Sequence, residues 1–535
     1  MGARGASGVS RKLAVASVIW TIALLASRVI GLARESVLGA TLGVSATADV
    51  YAAAFRVPDG VSYIIAGQAT SILFVPMFSA FFATGEDARA WRAFSNVANT
   101  MALAFLVVAG AVWVAMPTFA DALGSGFTPE NVALLTWLSR IMLPAQIFHV
   151  LGGMLNAALM ARDRHTIPAV APLVYTSFVI AGGLATGTAE GFAWGVLTGA
   201  FVGSFLLPLA ANLRAGMRWH PTIATSDPDF RRYLTQAVPV MLALGVVSFD
   251  DFTWTYFASP LGEGKVAILN YAKTLMKVPM GVFGFALAVA SYPTVSRLVA
   301  TGHIGEAYAI LHTSARRAVL LALASQVALT VAGAELATLV LGTRRIAAGD
   351  MAELGVCLAM FSIALAAWTA QGVLARGFYA LGLTWLPARV SMLALLLGLP
   401  VYALLGARFG APGLAAASSV AMIAYVAALA ALLRWRMRVA APDADLGPTE
   451  PFLAFVVRAA PPTLLAIAIG LVARHGLLAA VGPASGTRVD ALLRVLALAA
   501  VCAPAWLAAS WMAKVPELDV VVAAVRRRVA RPQGR

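Results

Sequence analysis

The sequence predicts an all-α polytopic membrane protein of about fourteen transmembrane helices, and three observations carry that prediction. The 535 residues are 61% hydrophobic and only 12% charged, with a mean hydropathy of +0.84, whereas a soluble domain is about 25% charged. Apolar runs long enough to cross ~30 Å of hydrocarbon recur along the chain. The basic residues between those runs alternate in number from one turning to the next, as topology requires.

The apolar segments fall at 13–33, 48–83, 93–116, 131–160, 166–186, 190–213, 232–258, 264–296, 318–341, 352–375, 384–406, 411–433, 452–473 and 490–512. The first follows Arg4, Arg11 and Lys12 but contains Trp20 and Arg28 and has no clear small-x-small cleavage site, so it is read as a span rather than a leader. With the N-terminus in the cytoplasm, the cytoplasmic turnings and termini carry most of the 39 Lys and Arg. The opposite face has only Lys265, Arg344, Arg345, Arg408, Arg474 and Arg488. That asymmetry places both termini inside, and it accounts for a net charge of +15 without nucleic acid. The stretches around 214–231 and 436–451 are too short for an inserted soluble domain.

Arg56-Val57-Pro58-Asp59-Gly60-Val61 in the second segment answers Lys277-Val278-Pro279-Met280-Gly281-Val282 in the eighth. Gly153-Met154-Leu155 with Pro168 answers Gly372-Val373-Leu374 with Pro387 at nearly the same offset. Six spans separate the copies, so they cross in the same direction and predict two six-helix lobes related by a pseudo-two-fold axis along the membrane normal. The expected organisation is an N-lobe over 1–218, a C-lobe over 219–440, and two added helices with a basic tail over 441–535. Two lobes around a midplane cavity is how alternating-access carriers are built.

Ionisable side chains inside spans cost about 2.5–3.5 kcal/mol or more unless a cavity or partner receives them. Arg28 and Glu35 are seven residues apart, as are Asp49 and Arg56, so each pair is expected to share a helix face. Lys273 and Lys277 stand one turn apart in the eighth segment. Together with Arg34 they predict a cavity with five cations, Arg28, Arg34, Arg56, Lys273 and Lys277, against the acids Glu35 and Asp49. Such a cavity suits an anionic ligand, phosphate above all, because guanidinium forks pair with its oxygens. Asp250 and Asp251, beside Ser248, Thr253 and Thr255, are candidates for holding a coupling ion, sodium or a proton. Pro58 and Pro279 interrupt helical hydrogen bonding and are expected to bend gating helices.

Catalytic signatures are few. The sequence has no HExxH, CxxC or P-loop motif, and Cys357 and Cys502 lie in apolar segments. Two acidic triplets, Asp227-Pro228-Asp229 and Asp443-Ala444-Asp445, would hold a metal and a sugar nucleotide in a glycosyltransferase, but they sit in short turns with no nucleotide fold around them and are read as solvated loops. Neither a metal nor an organic cofactor is expected. The tail from Arg526 to Arg535 is read as a topogenic and lipid-headgroup patch.

The run Ser27-Arg28-Val29-Ile30-Gly31-Leu32-Ala33-Arg34-Glu35, followed by Gly43, Ala48-Asp49, Ala54-Phe55-Arg56-Val57-Pro58 and Phe74-Val75-Pro76, resembles the lipid II flippases of the MurJ/MviN family. Asn270-Tyr271-Ala272, Leu275-Met276, Pro279, Gly281-Val282, Gly284, Ala286-Leu287 and Pro293 resemble that family's eighth-span motif. The resemblance implies a divergent member of the multidrug/oligosaccharidyl-lipid/polysaccharide exporter superfamily. Such a protein would carry the undecaprenyl-pyrophosphate-linked peptidoglycan precursor from the cytoplasmic to the periplasmic leaflet of the bacterial inner membrane. It would be a transporter rather than an enzyme and would serve cell-wall synthesis and cell shape. Its implied partners are that lipid-linked glycan, membrane lipids and cell-wall synthesis proteins, with no nucleic acid, and a monomer is expected. Arg28, Arg34, Asp49 and Arg56 fall on family-important positions, and Glu35 replaces the usual Asp. After Pro58 the two arginines of the family pattern are gone, with Ser62 and Tyr63 in that stretch, and Thr274 stands for another arginine. The eleventh span offers only Ser391 as a polar side chain past its start, so a sodium site there would be incomplete. The alternatives are a flippase for another lipid-linked polysaccharide of O-antigen or capsule type, a multidrug antiporter, and, in a different class, a membrane-embedded glycosyltransferase or a scaffold.

Overall fold

The predicted spans become helices, and interruptions fall in both apolar and charge-bearing ones. The computed structural model describes residues 26–65, 69–342, 344–442, 452–482, 484–515 and 517–518, among which there are helices and no strand. Nine described helices are long and apolar enough to cross a membrane. One of them, Trp385–Ala440, holds two predicted spans, divided at Gly410, whose φ of 64° and ψ of −142° are left-handed and non-helical. The nine account for every predicted span except the first, second, seventh and eighth. The first of these four is described only from residue 26, and the eighth is divided between helices of 15 and 16 residues with a π-helical turn between them. The start of the first span, the acids Asp443 and Asp445 and the basic tail lie outside the described residues.

Contacts divide the chain into two compact units, Met1–Ala267 and Ile268–Arg535. In the first, α1 (26–41) leads to α2 (Ala46–Ala54), α3 (Arg56–Ile65), α4 (Ala69–Ala83), α5 (Asp87–Leu123), α6 (Pro129–Met142), α7 (Ala145–Met160), α8 (Thr166–Thr186), α9 (Ala189–Gly199), α10 (Leu207–Arg214) and α11 (Pro228–Ala258). Side-chain caps start several of these: Ser45 accepts from the Ala48 amide, Thr188 from Gly191 and Asp227 from Phe230. The core is aromatic. Phe74, Phe78, Trp91 and Phe94 are fully buried, with ring centroids 5.2 Å apart for Phe74–Phe78 and 5.7 Å for Trp91–Phe94. Helix α11 packs on α3, α4 and α5, so the division falls one span later than the boundary at 218/219 drawn from sequence.

In the second unit α12 (Lys265–Pro279), which begins at the division, runs into a π-helical turn, Met280–Gly284, and then α13 (Phe285–Ala300). The widened turn follows Pro279, which lacks the amide that a regular helix would use there. Next come α14 (Ile304–Val331), α15 (Gly333–Leu341), α16 (Ala348–Ser362), α17 (Leu365–Ala380), α18 (Trp385–Ala440), α19 (Phe452–Val481) and α20 (Arg488–Met512). Helix α14 is central, packing on α13, α16, α17 and α19. Charges inside this unit are paired. Arg316 meets Glu517 at 2.5 Å, both buried, with the guanidinium over Phe455, and Arg474 meets the buried Glu335 at 3.1 Å.

Candidate functional site

The charges predicted from sequence are not loose in hydrocarbon, and the partners they find define the site. Within the first unit, the pairing inferred from seven-residue spacing is replaced by other partners. Glu35 is buried and pairs at 2.5 Å with its chain neighbour Arg34. Arg28 is half-buried and has no ion-pair partner among the described residues. Its distance from Glu35 along the helix is right, but the adjacent guanidinium reaches that carboxylate instead.

Asp49 is 1% exposed, and its two oxygens accept from the amides of Gly264 and Ala267, each at 2.6 Å. It therefore caps the start of α12, where unsatisfied amides and the helix dipole favour a carboxylate. The second span is interrupted at Phe55, between α2 and α3, and Arg56 finds its partners on α11. Buried at 7% exposure, Arg56 donates from Nε to Thr255 Oγ1 at 3.0 Å, stacks over the Trp254 ring at 4.6 Å and faces Asp251 Oδ2 at 3.9 Å. Trp254 Nε1 donates to Asp251 Oδ1 at 3.1 Å. The cation of the second span is thus held by one face of α11. Nearby, Gln146 donates to Asp59 at 3.0 Å, and the Phe252 ring lies against Gly60 so closely that a Cβ there would stand 3.0 Å from it.

Asp251 is consequently engaged with a cation. The hydroxyls of Thr253 and Thr255 donate to the backbone carbonyls of Phe249 and Asp251, and the latter hydroxyl also accepts from Arg56. Asp250 is half-buried on the same helix. The described residues bring together no group of three or more His, Cys, Asp or Glu as a metal site.

In the second unit Lys273 is 2% exposed, its Nζ 5.0 Å from the Trp368 ring and 5.3 Å from the Phe361 ring. This is an aromatic cage on α16 and α17. Lys277, one turn on, is half-buried. Arg376 on α17 donates to the Gly372 carbonyl at 2.8 Å. An apolar cavity of about 280 Å³ between α14 and α20, lined by Val327, Val331, Leu498, Cys502 and Trp506 among others, contains none of these charges.

Asp227 and Asp229 are partly exposed, and each is hydrogen-bonded. Asp227 caps α11, and Asp229 takes two hydrogen bonds from Arg89, at 2.9 and 3.1 Å, while Arg89 also pairs with Glu86 at 2.9 Å. Both carboxylates serve the local structure. Sequence reasoning missed Trp254, Phe361, Trp368 and Gln146 as partners. Only the first had a readable signal, since Asp251, Trp254 and Thr255 share a helix face by their i, i+3 and i+4 spacing.

A helical membrane protein whose second and eighth spans are interrupted, with cations seated beside the interruptions, has the form of a carrier rather than of a soluble catalyst. The sequence profile of the lipid II flippase MurJ family matches residues 38–482. The chain belongs to that family, and it is a multi-pass membrane protein. Relatives include the lipid II flippase MurJ of Burkholderia cenocepacia, 29% identical over 369 residues that cover 66% of this chain and 71% of that protein. A probable lipid II flippase MurJ of Rhizobium tropici is 28% identical over 419 residues, covering 75% and 76%. The fold resembles a solved lipid II flippase MurJ in an inward closed conformation, with a TM-score of 0.71 at 18% identity over 91% of this chain and 98% of that one. It also resembles an inward-facing multidrug resistance MATE family transporter of the MOP superfamily, with a TM-score of 0.66 at 14% identity, covering 80% and 99%.

Proposed function

We propose that this protein is a lipid II flippase, carrying the undecaprenyl-pyrophosphate-linked peptidoglycan precursor from the cytoplasmic to the periplasmic leaflet of the bacterial inner membrane by alternating access. The observation that carries the reading is the family match over residues 38–482, within which Asp49 and Arg56 stand buried in a broken span. Arg28, Arg34 and Arg56 are the cations proposed to bind the pyrophosphate, and Lys273 and Lys277 are the further candidates. The chemistry is electrostatic: fixed cations replace the water around phosphate oxygens in a low-dielectric site.

Both termini lie in the cytoplasm in this reading, as the basic asymmetry supports. The protein acts as a monomer, catalyses no covalent step, and draws on an ion gradient through Asp250 and Asp251 or on the membrane potential. A second lipid-linked glycan of O-antigen or capsule type is favoured by one observation, the loss of two arginines after Pro58 where Ser62 and Tyr63 now stand. Supplying this gene to cells depleted of their own flippase tests both readings. Restored growth with precursor reaching the periplasmic face supports lipid II, whereas failure with normal membrane levels of the protein rejects it. Replacing Asp227 with Ser and Asp229 with Asn, which keep a hydrogen-bonding side chain at each position, should leave transport intact if the chain is a carrier and abolish function if it is a glycosyltransferase.

A further inference from the structure

The chain between α10 and α11 is pinned to α5 at the level where that helix turns apolar. Ser95 accepts from the His220 amide at 3.0 Å, and Asn99 donates to the His220 and Thr222 carbonyls, each at 2.9 Å. Asn96 exchanges two hydrogen bonds with the backbone of Ala224, at 2.7 and 2.9 Å, and Trp219 meets the buried Phe94 edge-on. Asn99 lies twelve residues after Asp87, about 18 Å along α5 from its start. Two residues later, at Met101, the long apolar run of α5 begins, with Leu103, Leu106 and Val107 at least half exposed, as side chains facing lipid are. The hydrogen bonds therefore draw residues 219–224 back to the edge of the hydrocarbon rather than letting them stand out in water.

What this pinned segment presents is amphipathic. Trp219 and Ile223 are 46% and 52% exposed, and Leu213 at the end of α10 is 54%. Around them Arg214, Arg218, Arg231 and Arg232 are all exposed. Arg231 donates to the Thr225 carbonyl, but the guanidinium groups of Arg214, Arg218 and Arg232 have no partner among the described residues. Other arginines at this end of the unit are paired, Arg89 with Asp229 and Arg162 with Asp87. A ligand that covered the unpaired cations would not have to order the backbone beneath them, because α5 has already done so.

We infer that residues 213–223, with Arg232, form a binding surface for anionic phospholipid. Trp219 and Ile223 sit at the acyl boundary, and Arg214, Arg218 and Arg232 meet headgroup phosphates. A free anion in water would satisfy the arginines and leave the apolar side chains uncovered. A leaflet satisfies both, and the bonds to α5 hold the segment against it. Phosphatidylglycerol fits better than phosphatidylcholine, since its headgroup carries no cation to compete with the guanidinium groups. On the topology proposed above the leaflet is the cytoplasmic one. The inference does not depend on which lipid-linked glycan the protein carries.

The test uses the full-length protein in phosphatidylcholine nanodiscs with an environment-sensitive fluorophore on Ile223→Cys, the native Cys357 and Cys502 being buried. At equal mole fraction, brominated phosphatidylglycerol should quench the label about three- to fivefold more than brominated phosphatidylcholine. The excess should shrink in high salt. It should fall to parity in Arg214→Gln with Arg218→Gln and Arg232→Gln, while the residual quenching by both lipids persists. Arg218→Gln alone, a single exposed substitution, should remove part of the excess. Asn96→Ala with Asn99→Ala should lower quenching by both lipids, because the segment is then no longer drawn to the bilayer. Absence of quenching by either lipid in the wild-type protein overturns the membrane contact, and equal quenching overturns the preference for anionic lipid. An excess that inorganic phosphate removes, when chloride of the same ionic strength does not, makes this a site for a free anion and overturns the lipid surface.

Discussion

Asp49 and Arg56 lie seven residues apart in one span, yet the first caps a helix and the second meets α11. Their substitutions should therefore fail in different ways. Asp49→Ala leaves the amides of Gly264 and Ala267 without acceptors, at about 1–3 kcal/mol each. It should lower thermal stability in detergent, with Asp49→Asn recovering part of the loss. Arg56→Ala should instead leave a folded protein whose transport falls about 10- to 100-fold, the worth of a charge-assisted contact to phosphate. The two lysines divide in the same manner. Lys273 is 2% exposed between two rings, so Lys273→Ala should cost stability while Lys273→Met largely restores it. Lys277→Ala should reduce transport more than Lys273→Met does, in an accumulation-corrected assay. Equal transport defects from Lys273→Met and Lys277→Ala would show that the caged cation also meets substrate.

At the scale of elements, the interrupted second and eighth spans carry Asp49, Arg56, Lys273 and Lys277, while Arg28, Arg34, Glu35, Asp250 and Asp251 stand on the uninterrupted α1 and α11. Two of the interruptions were legible as prolines with a cation two residues before each. Their positions were not: the second span breaks three residues before Pro58, whereas the eighth widens just after Pro279. A proline marks where a hydrogen bond is missing, but neighbouring packing decides which residue takes up the bend. The segment 215–227 is another element whose role sequence did not show. Its backbone is held by α5, where Asn96 bonds Ala224, Asn99 bonds His220 and Thr222, and Arg89 clamps Asp229 and Glu86. The hydrogen bond from Arg89 holds the Glu86 carboxyl below the usual carboxylate range. Because that shift is downward, its contribution is present at neutral pH and is lost as pH falls through the lowered value. The protection factor of amides at the start of α5, corrected for the intrinsic pH dependence of exchange, should accordingly hold near neutrality and fall only in acid below the ordinary range for glutamate. Arg89→Ala should lower it at neutral pH and free the segment 215–227.

For the molecule as a whole, the sequence disclosed its class because hydrocarbon imposes length, apolarity and charge asymmetry on every span. It disclosed the charged residues because a charge in a span is rarely without a function. It did not disclose their partners. Arg56 with α11 and Lys273 with Trp368 are set by tertiary packing, to which helical spacing is blind, and Arg34 with Glu35 is a contact between chain neighbours that the seven-residue spacing passed over. The division of contacts at Ala267/Ile268 likewise depends on how α11 packs, not on the repeat. The central claim is that this chain moves lipid II with Arg28, Arg34 and Arg56 as phosphate ligands. It is tested most directly in cells depleted of their native flippase, by measuring how much lipid II is reached by an enzyme confined to the outer face of the membrane. The wild-type protein should restore that pool, and Arg28→Ala, Arg34→Ala and Arg56→Ala should each fail at equal membrane abundance, with Arg28→Lys rescuing poorly because it lacks the two-pronged contact. A pool that stays empty with the wild-type protein, or one that all three Ala variants restore in full, would contradict the account.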